Sequence, residues 1–264
     1  MSLLPPLDKL KIPVIGSPLF IISNPDLVIA QCKAGVIGSF PCLNAREGEG
    51  EPNMLEIWLN KINEELDKYN QENPDNPAAP YAVNHIVHKS NVRLQQDIDI
   101  CAKWKAPVWI TSLGARPEVN EVAHQANGIV LHDIINNFFA KKAIEKGADG
   151  LVAVAAGAGG HAGTLSPFAL IQEIREWFDG PLLLSGSIAN GGAVLAAQAM
   201  GADLAYIGSA FIATNEANAD QRYKEMITES SADDIVYTNL FTGVHGNYLK
   251  GSIEAQGLDP NNLE

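Results

Sequence analysis

The chain has 264 residues, 46% of them apolar and 19% charged, with 18 Lys and Arg against 31 Asp and Glu. That much apolar material excludes wholesale disorder, and the length suits one α/β barrel as readily as two small domains. A formal net charge of -13 repels phosphate backbones and argues against general nucleic-acid binding. Residues 1–11 lack the apolar run of a signal peptide, and no stretch approaches the roughly 20 apolar residues of a membrane helix. Three cysteines, Cys32, Cys42 and Cys101, form no C-x-x-C pair, so a reduced, cytoplasmic protein is expected.

Short β-branched runs alternate with amphipathic stretches along the chain. A strand at 12–16 precedes a helix at 24–34, with Pro25 suited to its first turn. A strand at 36–40 and a Gly/Glu/Pro-rich loop lead to a long helix at 55–69. There Leu55, Trp58, Leu59, Ile62 and Leu66 recur at spacings of three and four. Residues 70–80 are polar and proline-rich and read as an excursion loop. The alternation then resumes with strands at 81–86, 108–112, 128–132, 150–155, 182–185 and 204–208. The helices among and after them lie at 91–104, 117–126, 136–146, 168–178, 193–200 and 218–228. The run at 150–155 is wholly apolar, as expected of a strand buried on both faces. Eight strands and eight helices in strict order favour a single-domain (βα)8 TIM barrel over a doubly wound sheet. The Gly/Asn-rich tail from about residue 237 is expected to be irregular.

Barrel active sites lie where strands end at their C-termini. After the sixth strand, residues 155–163 set one imidazole, His161, among small residues that include Gly157, Gly159, Gly160 and Gly163. Such a loop lets backbone amides approach an anion closely. A G-x-G-x-x-A dinucleotide reading of Gly157, Gly159 and Ala162 fails on context, since the next strand ends in Ser185-Gly186 without an acidic residue. The seventh strand is followed by Ser185, Gly186, Ser187, Asn190, Gly191 and Gly192, and the eighth by Gly208 and Ser209. Barrels commonly hold a phosphate between these two loops and a helix N-terminus. Asn84, Thr111, Ser112 and His132 are single polar residues at other strand ends, each of which could equally be a satisfied structural group.

Metal binding is not expected. His85 and His88 fall on opposite faces of a strand, and no H-x-H, H-E-x-x-H or carboxylate cluster is present. His124 and His245 have no evident partners. The absence of a G-x-S-x-G elbow, and of a His near any cysteine in sequence, argues against covalent nucleophilic catalysis.

The runs at 149–170, DGLVAVAAGAGGHAGTLSPFAL, and 182–214, LLLSGSIANGGAVLAAQAMGADLAYIGSAFIAT, with the unit from Pro13 to Phe40, resemble the nitronate monooxygenase family, once called 2-nitropropane dioxygenases. The motifs are shared with flavin-dependent enoyl-ACP reductases and NADH:quinone reductases. The resemblance implies a (βα)8 barrel holding FMN non-covalently and oxidising alkyl nitronates or nitroalkanes with molecular oxygen. Gly186, Gly191, Gly192, Gly208 and Ser209 would cradle the FMN phosphate, Asn84 would contact the flavin, and the segment Ser17, Pro18 and Leu19 would pack beside its ring. His161 would face the ring as the active-site base. Ser112 and His132 would serve the substrate or support the site.

The alternative oxidoreductase reading brings NAD(P)H as electron donor. A phosphate-binding barrel without flavin would want a catalytic Lys or carboxylate, for which Asp133 is the one candidate, and a non-catalytic relative is a further alternative. A homodimer is compatible with each. The chain departs from the family pattern at Ser17 and Leu19, where Ala and Met are usual. It departs again at Asp133, Ala156 and Ser187, where some relatives carry Lys, Gln and Gly. Those relatives continue for some tens of residues past the barrel, over the cofactor side.

Overall fold

A computed structural model describes residues 3–47 and 53–263. Eight parallel strands form the barrel wall: β1 (Val14–Gly16), β2 (Gly38–Pro41), β3 (Tyr81–Ile86), β4 (Val108–Ser112), β5 (Ile129–Ile134), β6 (Gly150–Val154), β8 (Leu182–Ser185) and β9 (Leu204–Ile207). Their spatial order is β1-β9-β8-β6-β5-β4-β3-β2, and a parallel bridge between Ile15 and Ile37 joins the two ends. The seam is hydrogen-bonded on both sides, Gly16 N–H to Ile37 O at 2.8 Å and Ile37 N–H to Val14 O at 3.1 Å. The wall is wrapped by helices α1 (Pro25–Lys33), α2 (Met54–Glu72), α3 (Leu94–Lys103), α4 (Pro117–Gln125), α5 (Asn137–Glu145), α6 (Pro167–Arg175), α7 (Gly191–Ala199) and α9 (Gln221–Glu229). The four-residue α8 (Ser209–Ile212) is an addition to the expected set. No helix among the described residues is long and apolar enough to cross a membrane.

Side-chain alternation along the strands builds two cores. Ile15, Ile37, Ala82, Ile110, Leu131 and Leu204 fill the barrel interior. Phe40, Val83, Trp109, Val130, Ala153 and Leu184 point outward and meet the helices. The amphipathic spacing of α2 is realised: Leu55, Leu59, Ile62 and Leu66 are buried, and half-buried Trp58 lies edge-on to Phe40 at 5.6 Å. Asn24, Asn136 and Asn190 cap α1, α5 and α7, each accepting a backbone N–H three residues on. At Gly38 a Cβ would stand 2.5 Å from the Val28 carbonyl, so glycine is what lets α1 lie directly on β2.

The tail differs from its expected irregularity. β10 (Ile235–Thr238) and β11 (Gly246–Leu249) form an antiparallel hairpin, followed by α10 (Lys250–Glu254). β11 also pairs with β7 (Gly160–His161), a two-residue strand inside the Gly-rich loop. Asn239 and Gly243 lie in the hairpin turn at 239–245, while Ile235, Val236, Tyr237 and Tyr248 supply the strand-forming residues.

Replacing Gly38 with Ala should cost about 1–3 kcal/mol by overpacking α1 against β2, read as a lower urea midpoint at unchanged m-value.

Candidate active site at the barrel mouth

Inward-facing positions change character along the barrel axis. Two residues beyond the buried apolar layer stand Ser39, Asn84, Ser112, Asp133, Ser185 and Tyr206, all on the C-terminal side of their strands. Three of them are wired together. Asn84 Nδ2 donates to Ser112 Oγ at 2.9 Å, and Ser112 Oγ donates to Asp133 Oδ2 at 2.5 Å. The other Asp133 oxygen, Oδ1, is out of water and has no hydrogen-bond partner among the described residues. Burial pushes the Asp133 carboxyl up to about 6, against the opposing effect of the Ser112 hydrogen bond. Tyr206 lies close enough for that carboxylate to add to the upward shift that burial imposes on its phenol.

The strand-end loops pack on one another. Ser187 N–H donates to Gly157 O at 3.0 Å, which joins the loops after β6 and β8. A Cβ at Gly159 would stand 3.2 Å from Ser209 Oγ, and one at Gly208 would stand 2.7 Å from Ser17 Oγ. The loops after β1, β6, β8 and β9 therefore meet, and small residues are what allow it. Ser187 sits at φ +53° and Gly186 at φ +149°, so the turn leaving β8 is left-handed where it faces the loop after β6. Gly191 and Gly160 have no heavy atom within 4 Å of a notional Cβ, which leaves space beside their backbones for a ligand. Asn44 fixes the segment after β1, its Nδ2 donating to Leu19 O and Ser23 O at 3.1 Å each. Exposed Phe20, Leu113, Ile135 and Leu165 add apolar surface on loops leaving the same ends of the strands.

His161 is exposed on β7, opposite Gly246 of β11. Its Nε2 lies 3.1 Å from Thr242 Oγ1, in the β10–β11 turn. With the Thr242 hydroxyl donating to Val244 O at 3.0 Å, the hydroxyl oxygen is left to accept from Nε2–H, and Nδ1 has no hydrogen-bond partner among the described residues. Two further contacts pin the loop to the hairpin: Asn247 Nδ2 donates to Ala158 O at 2.7 Å, and Tyr237 OH to Ala162 O at 3.4 Å.

Most residues singled out in the sequence converge here. Ser17, Pro18 and Leu19 border β9, Asn84 and Ser112 belong to the polar chain, and Ser185, Gly186 and Ser187 meet Gly157. Gly191 and Gly192 open α7 on the same side, next to Gly208 and Ser209 in order round the wall. Gly163 is different: a Cβ there would stand 2.5 Å from Val154 O, so this glycine serves close packing on the barrel.

His132 lies apart from the group. The fifth strand runs on to Ile134, two residues further than expected, which places His132 mid-strand on the outer face, with Nδ1 2.6 Å from Thr111 Oγ1. Burial holds its imidazole down at about 4. Sequence reading passed over Ser39, Tyr206 and Thr242, and weighed Asp133 only for a flavin-free barrel. Counting by twos from Ile37, Leu131 and Leu204 would have found the first, the last and Tyr206.

The two buried groups make opposite demands on pH. Asp133, raised, contributes stability present below about 4 and lost as pH rises through about 6. His132, depressed, contributes stability present above about 6.5 and lost as pH falls through about 4. In the native chain the slopes oppose each other. Asp133→Asn should expose the His132 slope, with stability rising by on the order of 3 kcal/mol from pH 4 to 6.5 in urea titrations. Separately, Asn247→Ala should weaken the hold on the His161 loop by about 1 kcal/mol, seen as roughly five-fold faster amide exchange at residues 157–163.

A nitronate monooxygenase from Paraburkholderia phytofirmans is 25% identical over 98% of this chain and 79% of its own length. A probable nitronate monooxygenase from Staphylococcus saprophyticus is 32% identical over 37% of this chain and 30% of its own. In fold the chain is similar to FabK from Thermotoga maritima, with a TM-score of 0.77 at 21% identity over 97% of this chain and 84% of that one. It is likewise similar to a nitroalkane oxidase from Streptomyces ansochromogenes, with a TM-score of 0.76 at 22% identity over 92% and 78%. The family model described as nitronate monooxygenase matches residues 2–253, from before the first strand to the helix after the tail hairpin. A match of that extent, on a barrel with this mouth, places the chain in the nitronate monooxygenase family of flavin-dependent oxidoreductases.

Proposed function

We propose that the barrel mouth binds FMN and that the chain oxidises alkyl nitronates and nitroalkanes with molecular oxygen. The observation that carries this reading is His161, whose Nδ1 is free as a base while the hairpin holds its Nε2. The mouth suits a flavin for reasons of its own. Open backbone beside Gly160 and Gly191, with Gly186, Gly192, Gly208 and Ser209 around it, gives amides for a phosphate. The unpartnered Asp133 Oδ1 and the Asn84–Ser112 chain give polar contacts for ring heteroatoms. Ser17, Pro18 and Leu19, with exposed Phe20 and Leu113, give apolar faces for a ring to lie on.

When bound, the flavin accepts the substrate's electrons and passes them to oxygen. The chain's own part is proton handling and orientation. His161 Nδ1 would remove the α-proton of a neutral nitroalkane; an alkyl nitronate has already lost it and needs only a hydrogen bond. Asp133, poised near neutrality, can hold a proton at Oδ1 and become a donor on the acid side of about 6. Apolar side chains on the loops after β1, β4 and β5 would keep water from the reacting carbon.

A second reading on the same barrel is a flavin-dependent enoyl reductase, favoured by the likeness in fold to FabK and, at a TM-score of 0.68, to the enoyl reductase domain of MlnA from Bacillus amyloliquefaciens. It calls for rapid reduction by NAD(P)H and poor reaction with oxygen.

Purified protein should be yellow and release about one FMN per chain on heat denaturation. Oxygen uptake with a nitronate should exceed that with NAD(P)H. His161→Asn should keep the flavin and lose about 10²–10⁴-fold of the rate with neutral nitroalkanes, with a smaller loss on nitronates. A colourless protein that takes up no added FMN, or full nitroalkane activity in His161→Asn, would sink the reading.

A further inference from the structure

On the outer face of the barrel, between the wall and α3, three ligand-type side chains from distant parts of the chain meet. Cys42 follows β2, His85 lies on β3 and Cys101 on α3, and all three are buried. Cys42 Sγ stands 3.7 Å from Cys101 Sγ and 3.9 Å from His85 Nε2, and the three atoms lie within 4.8 Å of one another. The ring of His85 rests on Trp109 with centroids 4.8 Å apart. Sequence reading set metal binding aside because His85 and His88 fall on opposite faces of a strand and no local ligand motif is present; the fold supplies partners for His85 from distant parts of the chain.

We propose that Cys42, His85 and Cys101 form a buried zinc site, separate from the barrel mouth. Two of the three separations fit one ion as they stand, and the third, from His85 to Cys101 Sγ, lies within 4.8 Å and would close to at most about 4.35 Å on a shared ion. At a Zn–S length of about 2.3 Å, sulfurs 3.7 Å apart subtend about 107° at the metal. With Zn–N at about 2.05 Å, the 3.9 Å from Cys42 Sγ to Nε2 subtends about 127°. A second observation points the same way. His85 Nδ1 and Asp97 Oδ2 are both buried without hydrogen-bond partners among the described residues. Asp97 precedes Cys101 by one helical turn and so shares its face of α3, and its Oδ1 takes Arg93 at 2.9 Å. Metal on Nε2 forces the hydrogen of a neutral imidazole onto Nδ1, and a metal-bound histidine characteristically gives that hydrogen to a carboxylate. One ion would thus give both orphaned atoms a role.

Charge selects zinc within the soft cations. Two thiolates and a neutral imidazole around Zn²⁺ sum to zero, which suits a buried site and leaves the fourth tetrahedral position to a neutral ligand such as water, whereas Cu⁺ would leave a net negative charge there. Binding displaces the two thiol protons to solvent and forms two Zn–S bonds, with no change of oxidation state. A site this enclosed fills as the chain folds.

The test uses the full-length, untagged, reduced protein, expressed in zinc-supplemented medium or refolded with zinc, then dialysed against a weak chelator. Elemental analysis should give one zinc per chain. Refolding with Co²⁺ instead should give thiolate-to-cobalt charge-transfer absorption of two-thiolate strength. Cys101→Ser and His85→Gln should lose the bound metal, while Cys32→Ser, at a thiol that instead faces the Pro80 carbonyl, should retain it. Folded wild-type protein with no zinc and no cobalt–thiolate band overturns the proposal whatever the variants do, as does equal loss in Cys32→Ser. The metal readouts are independent of flavin content, so failure here is distinguishable from failure at the barrel mouth.

Discussion

The structure depends on closing a parallel sheet. β1 is three residues long, yet it must bond to β9 on one side and to Ile37, just before β2, on the other. Parallel strands cannot turn back directly on themselves, so each closure step needs a helix between neighbours, and that necessity sets the length and alternation of the chain. Closure also puts every strand's C-terminus on one rim. The polar residues Asn84, Ser112 and Asp133 sit on three successive strands, β3, β4 and β5, and parallel register is what lines them up into one hydrogen-bonded chain.

Within that frame the barrel separates stability from chemistry along its axis. The lower interior is filled by the apolar side chains of Ile15, Ile37, Ile110, Leu131 and Leu204. The rim above it holds a carboxylate with an unused oxygen, several exposed glycines and a histidine. An unsatisfied buried oxygen costs about 1–3 kcal/mol, and proteins retain such groups mainly where a ligand or a proton completes them. The outer layer carries a second concentration of unsatisfied groups around His85 and Asp97, at the opposite face of the same strand β3. One strand thus serves two chemistries because Asn84 and His85, adjacent in sequence, point to opposite sides.

His161 illustrates how a loop gains a fixed geometry. The run from Ala155 to Gly163 has little bulk and little intrinsic preference for any one conformation. Its position comes from elsewhere, through β11 pairing, Asn247 and Thr242, all some 80 residues further along. The hairpin therefore belongs to the site as much as the barrel loops do.

The sequence by itself determined the eightfold alternation, the helix starts near 24 and 136, and the Gly-rich strand ends, because each is a local pattern with a local physical cause. It also placed Asn84, Ser112 and His161 at strand ends, since strand limits follow from short apolar runs. What only the tertiary structure decided is long-range pairing. The hairpin at 235–249 was hidden because its pairing partner, β7, is two residues long and has no β-forming pattern of its own. His132 was misplaced because β5 continues past it to Ile134, and alternation from the inward-facing Leu131 sends His132 to the outer face and Asp133 inward. The convergence of Cys42, His85 and Cys101 was invisible for a simpler reason. Neighbours separated by 43 and 59 residues along the chain become contacts only once β2, β3 and α3 have packed, and no spacing rule reaches that far.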